Sequence, residues 1–108
     1  MFAKSRSLTK DVVLTKCTIN ASEIETAADL VINANGVAFN INNTVLEAND
    51  VTFNGNKNVV FTNTKLEAHG TCYVNTNITG KDNGTNTISA DDYEIAPKKS
   101  IAFQYEEI

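Results

Sequence analysis

"NNTVLEANDVTF" runs from Asn42 to Phe53, and "TNTKLEAHGTCY" follows it at a distance of 20 residues, from Thr62 to Tyr73. Two passages so alike at a fixed offset mark a repeat, and the repeat decides the fold. Successive side chains on a strand point to opposite faces, so apolar or small residues standing two apart mark one face of an extended segment. Such pairs fall at Phe39/Ile41, Leu46/Ala48, Val51/Phe53, Val59/Phe61, Leu66/Ala68 and Thr71/Tyr73. The last three begin 20 residues after the first three.

The spacing extends backwards to Ile19/Ala21, Thr26/Ala28 and Val31/Asn33. Forwards it reaches Ile88/Ala90, Tyr93/Ile95 and Ile101/Phe103, once about two extra residues are allowed in "TGKDNGT" around Gly84. Three short strands in each unit of about 20 residues suit a parallel β-solenoid, in which a coil closes a triangular circuit and returns one strand spacing higher. Antiparallel sandwiches also space their strands regularly, but their turns need not keep a three-beat pattern. The expected fold is therefore all-β, a single parallel β-solenoid (β-helix) over residues 1–108, with about five coils of three short strands each.

In this frame Asn43 and Asn63 stack at a corner, where Asn tolerates left-handed backbone geometry and can form side-chain ladders. Leu46 over Leu66 and Ala48 over Ala68 form interior columns, while Glu47 over Glu67 points outward, at a like-charge cost of a few tenths of a kcal/mol (~0.3). Asn35-Gly36, Asn54-Gly55 and Asn83-Gly84 mark tight corners, and Pro97 in "APKKS" marks a loop before the last strand. Ser22 and Glu25 fit a capping box, so a short helix over Ala21 to Leu30 is the alternative to a coil side there. The repeat runs straight through that stretch and favours the coil side.

Composition agrees with a β fold and narrows the function classes. Asn and Thr make up roughly a quarter of the chain, and the charged fraction is only 20%. A net charge of -4 with scattered Lys and Arg argues against nucleic-acid binding. No apolar run is long enough for membrane insertion, and "MFAKSRSLTKD" lacks the apolar core of a secretory signal, so the expectation is a soluble chain not exported by that route. Cys17 and Cys72 can form one disulfide, but in so Thr-rich a sequence they read better as two small buried hydrophobes. One histidine and two distant cysteines give no metal-ligand spacing, and no cofactor is expected.

From Val51 to Tyr73, "VTFNGNKNVVFTNTKLEAHGTCY" resembles the short β-solenoid modules of Bacteroidetes secreted and surface proteins sometimes called coat-hanger stacks. Val51-Thr52-Phe53, Val59, Phe61, Gly70, Thr71 and Tyr73 stand at matching places, whereas Asn63-Thr64-Lys65 replaces the proline-glycine-phenylalanine corner of that pattern. In architecture and size the chain is also similar to the bactofilins, without their Gly-rich repeats. Its Asn/Thr-rich β character is similar to phage fibre and spike segments. These resemblances imply a structural role on a virion or cell surface, and none supplies catalytic residues.

Each candidate site has a plainer reading. His69 in "EAHGT" is placed as a solvent-exposed corner residue rather than an acyltransferase base. Asp91-Asp92 and Glu106-Glu107 are adjacent, so on strands their carboxylates diverge and cannot flank one glycosidic bond. The Thr-x-Thr units at Thr62/Thr64 and Thr85/Thr87 would form a flat outward array only with matching pairs on earlier rungs, where Asn42/Thr44 and Ser22/Ile24 stand instead. The sequons at Asn20, Asn42, Asn77 and Asn83 arise readily by chance in this composition.

The ends carry the functional expectation, because a solenoid must cap or pair its terminal rungs. Residues 1–10 are expected to cap the first coil, with Phe2 and Leu8 as plugs. Residues 97–108 keep an apolar alternation without a polar cap, which points to association through Ile101, Phe103, Tyr105 and Ile108. The reading is a non-enzymatic assembly module, joining copies of itself or a larger structural protein. The alternative is a carbohydrate-binding module with an outward Asn/Thr face, in which Tyr73, Tyr93 or Tyr105 would stack on the sugar; the first two are placed on the interior register.

Overall fold

The computed structural model describes residues 7–8, 10–15, 18–20, 23–81 and 86–107. Among them there is no helix. Thirteen strands run in chain order: β1 (Ser7–Leu8), β2 (Val12–Thr15), β3 (Thr18–Asn20), β4 (Glu23–Thr26), β5 (Leu30–Ala34), β6 (Phe39–Asn42) and β7 (Val45–Ala48), then β8 (Val51–Gly55), β9 (Val59–Thr62), β10 (Lys65–Val74), β11 (Ile78–Gly80), β12 (Thr87–Ile95) and β13 (Tyr105–Glu107). Every strand pairing is parallel. The chain is a β-solenoid.

Its first side stacks β1, β4, β7, the first half of β10, the first half of β12, and β13. The second stacks β2, β5, β8 and the second halves of β10 and β12. The third stacks β3, β6, β9 and β11. Four strands on the third side give about four turns, slightly fewer than the five coils expected. In the last circuit the third side contributes only the bridge from Ile101 to Ile78 before the chain continues to β13, which returns in parallel to the first side.

The repeat reaches the packing directly. Phe39 lies over Val59, Ile41 over Phe61, Leu46 over Leu66 and Ala48 over Ala68, all buried. Ile88 and Ala90 continue the last two columns at an offset of 22 from Leu66 and Ala68, which places the two extra residues where the sequence asks for them. Glu23 to Thr26 is a strand, so the capping-box helix does not form; Ser22 itself lies outside the described residues.

A strictly constant period misplaces other segments. On the second side the inward residues are Leu30, Ile32 and Ala34 rather than Val31 and Asn33, and Cys72 and Val74 rather than Thr71 and Tyr73. The reason is the corner between the first two sides. Two residues, Asn49 and Asp50, separate Ala48 from Val51, but three separate Thr26 from Leu30 and Ala68 from Cys72. One extra corner residue reverses which side chains face the core. At β4 the inward pair is Ile24 and Thr26, so Ile24 belongs to the core and Ala28 to the corner; Ile19 is buried as expected, while Ala21 lies outside the described residues.

Side-chain ladders hold the corners. Asn43 and Asn63 both have positive φ, 51° and 49°, and Asn63 Nδ2 donates to Asn43 Oδ1 at 3.0 Å. A second ladder climbs from Thr15 through Asn33 and Asn54 to Asn75, each amide donating to the residue one rung below at 3.2, 3.4 and 3.0 Å. At a third corner Asp11 Oδ1 accepts the N–H of Asp29, Asp29 Oδ1 that of Asp50, and Asp50 Oδ1 that of Thr71. These bonds satisfy backbone donors where the chain leaves one sheet for the next. Gly36 and Gly55 occupy the predicted tight corners with φ of 84° and 133°; Asn83-Gly84 lies outside the described residues.

Candidate functional site

The surface divides into three outward faces and two ends. On the third side Thr18, Asn20, Asn40, Asn42, Thr62 and Lys81 line an open polar groove of about 450 Å³. A second shallow groove of about 630 Å³ lies at the neighbouring corner, with Asn43, Asn63, Lys65 and Glu106 among its walls. Among the described residues no flat threonine array forms. Asn63 turns the chain, so Thr62 faces out while Thr64 is buried and donates its hydroxyl to the Ile41 carbonyl at 2.8 Å; Thr85 lies outside the described residues.

The shifted register moves Tyr73 outward. It pairs with Thr52, is half-buried, and lines a third open groove of about 330 Å³ with Asn75, Glu94 and Pro97. Tyr93 keeps the interior register above Cys72, near the end of the stack. Its hydroxyl donates to the Glu106 carbonyl, and its ring lies 4.7 Å from that of Tyr105. Burial, then the nearby Cys72 and Tyr105, push the Tyr93 hydroxyl up to about 12.

At the C-terminal end the turn at Pro97 and Lys98 is closed by the Lys99 N–H donating to the Ala96 carbonyl at 3.1 Å. Ile101 and Phe103 then pack against the core, the Phe103 ring 5.3 Å from Phe61. Tyr105 remains 41% exposed. β13 sets Tyr105 above Ile88 and Glu107 above Ala90, so a carboxylate stands at the exposed end of an apolar column. Ile108, the fourth association residue, lies outside the described residues, as do Phe2 and the Leu8 side chain at the other end.

Among the described residues the remaining chemistry-bearing groups bring together one further cluster, at His69. Cys72 is a free, buried thiol that burial pushes up to about 12, so it stays protonated and unreactive in the folded chain; Cys17 lies outside the described residues. Asp92 Oδ1 accepts the N–H of Tyr93 at the corner. His69 is an exposed corner residue as expected, but its Nε2 stands 2.6 Å from Glu47 Oε2 and its Nδ1 3.8 Å from Glu67 Oε2. Sequence reasoning missed this grouping because Glu47 and His69 are 22 residues apart. The signal was present in the repeat, which already stacked Glu47 beneath Glu67, two residues before His69.

No described helix is long and apolar enough to cross a membrane. Comparison with protein-family models, curated proteins and solved structures finds no match. The functional reading rests on the residues and geometry of this chain.

Proposed function

We propose that the protein is a non-enzymatic structural module that assembles end to end through its C-terminal rung, within a fibre, a virion or a surface appendage. The carrying observation is the last rung itself. β13 is the final described strand of the first side, with Tyr105, Glu106 and Glu107 all exposed, beyond a core end that Tyr93, Ile101 and Phe103 cover. Such an edge is a template for another strand. Its carboxylates select the partner, since an added strand must bring positive charge to the Glu107 position.

The chain carries positive charge near its other end at the exposed Lys10, two residues after β1, the opposite terminal strand of the same side among the described residues. Pairing β13 of one copy with β1 of the next preserves the parallel stacking. Because the two surfaces differ, such contacts repeat without closing and give filaments. Sedimentation equilibrium over a wide concentration range tests the reading. Growth in mass with concentration, weakened by salt and by the pair Glu106→Lys and Glu107→Lys, is expected. A monomer at every concentration, or an oligomeric state unchanged when Phe103 and Tyr105 are both replaced by Ser, overturns it.

The outward position of Tyr73 favours one further reading, a carbohydrate site in the groove it shares with Asn75 and Glu94. A phenol ring for the apolar sugar face beside amide and carboxylate acceptors is the chemistry such ligands need. Saturable glycan-array binding that is lost in Tyr73→Ala would support it, and no signal would discard it.

A further inference from the structure

We infer that Glu47, Glu67 and His69 form a binding site for a divalent transition-metal ion of the Zn²⁺ class. One ligand atom from each of the three lies within 4.8 Å of the other two. The backbone fixes the grouping. Glu47 and Glu67 face each other in register on β7 and β10, clamped on both sides by the buried pairs Leu46/Leu66 and Ala48/Ala68. His69 follows Ala68 at the corner where β10 shifts register, and its ring reaches down one rung to Glu47.

The donor set selects the ion. One imidazole nitrogen and two carboxylate oxygens suit Zn²⁺ or its neighbours, whereas Ca²⁺ requires six or more oxygens and Mg²⁺ a near-ideal octahedron. The present separation of 2.6 Å between His69 Nε2 and Glu47 Oε2 is a hydrogen-bond length. Donors ~2.1 Å from a shared ion sit roughly 3.0–3.5 Å apart, so His69 and Glu47 must part by about 1 Å or less while Glu67 closes from a separation of at most 4.8 Å. The side chains have that freedom, with His69 52%, Glu47 34% and Glu67 40% exposed, and the same exposure admits water to the remaining coordination positions.

Electrostatics act in the same direction. Glu25 lies in register beneath Glu47, so three carboxylates stand on successive rungs, and a dication converts their mutual repulsion into attraction.

The test is calorimetric titration of the full-length, untagged protein with ZnCl₂, and separately with CaCl₂. The expected result is saturable binding of one Zn²⁺ per chain, reduced about tenfold or more by either His69→Ala or Glu67→Gln, with no saturable Ca²⁺ binding. Because His69 is the only histidine, imidazole resonances of the wild-type protein give a second readout that needs no variant. They should shift on Zn²⁺ addition. Unshifted imidazole signals, Zn²⁺ affinity indifferent to both substitutions, or Ca²⁺ bound as well as Zn²⁺ would each overturn the site.

Discussion

The middle of the stack and its C-terminal end enclose apolar residues by opposite means. Between β7 and β10 each inward side chain meets its own kind one rung away, Leu on Leu and Ala on Ala, and the core closes without any special device. Beyond β13 the described residues add no further rung, and closure passes to aromatics. Phe103 lies against Phe61, Tyr93 against Tyr105, and the Tyr93 hydroxyl is tied to the Glu106 carbonyl. Repetition supplies packing for an interior rung; an end must be written individually.

The harshest way to break that contrast is Phe61→Ala, since Phe61 touches both regions, with ring centroids 6.1 Å from Phe53 and 5.3 Å from Phe103. A loss of about 3–5 kcal/mol in urea denaturation is expected. A loss below ~1 kcal/mol would mean that the end does not lean on the middle through this ring. Next comes Gly55→Ala, where φ is 133° and an added Cβ would stand 2.2 Å from the Ala34 carbonyl oxygen. This corner has no flexible side chain to yield, so about 2–3 kcal/mol should be lost. A cost no greater than that of an ordinary surface substitution would show that the corner rearranges freely.

Alkaline pH sharpens the comparison more gently, because Cys72 lies in the repetitive core and Tyr93 at the end. Burial raises the Cys72 thiol from 9.0 to about 12, so between those values the unfolded chain has released a proton that the folded chain retains. The contribution of Cys72 to stability is therefore level below pH 9 and falls as pH rises towards 12, by at most ~1.4 kcal/mol per pH unit. Urea midpoints at neutral pH and at a pH between the two values should differ less in Cys72→Ala than in the wild type, the raised Tyr93 hydroxyl leaving a smaller decline above pH 10, and an equally steep decline in that variant would remove the thiol as its cause. The smallest effect expected is that of Asn54→Ala, which breaks the ladder between Asn33 and Asn75. It should cost about 1 kcal/mol, measured in the same way, and no loss would show that water serves those corners equally well.

Much of this architecture is legible in the sequence. The columns at Phe39/Val59, Leu46/Leu66 and Ala68/Ala90 follow from spacing alone, because a buried two-residue alternation leaves a pattern that no corner chemistry can disguise. What escapes is the length of each corner. Whether two or three residues turn the chain between the first and second sides depends on how carboxylates and backbone N–H groups meet there, and no local pattern records it. Hence Tyr73 faces solvent and Cys72 the core. The C-terminal segment escapes for another reason: its alternation reads as a strand at Ile101 and Phe103, whereas one bridge and an aromatic contact carry the chain across to β13. His69 beside Glu47 is a product of stacking, legible only after the rungs are superposed.

Residues Asn43 and Asn63 close successive circuits in the same left-handed conformation, joined by one side-chain hydrogen bond. Any cut made at one of these corners and rejoined at the other removes a whole circuit and presents matching surfaces on both sides of the scar. Joining Thr44 directly to Lys65 would bring Ile24 opposite Leu66 and Leu30 opposite Cys72, each an apolar pair already compatible with this core. The molecule is thus written in a script that tolerates copying and deletion by the line. Its length is a heritable variable that unequal recombination can change in steps of one strand spacing, about 4.8 Å, while the shape of its cross-section is preserved.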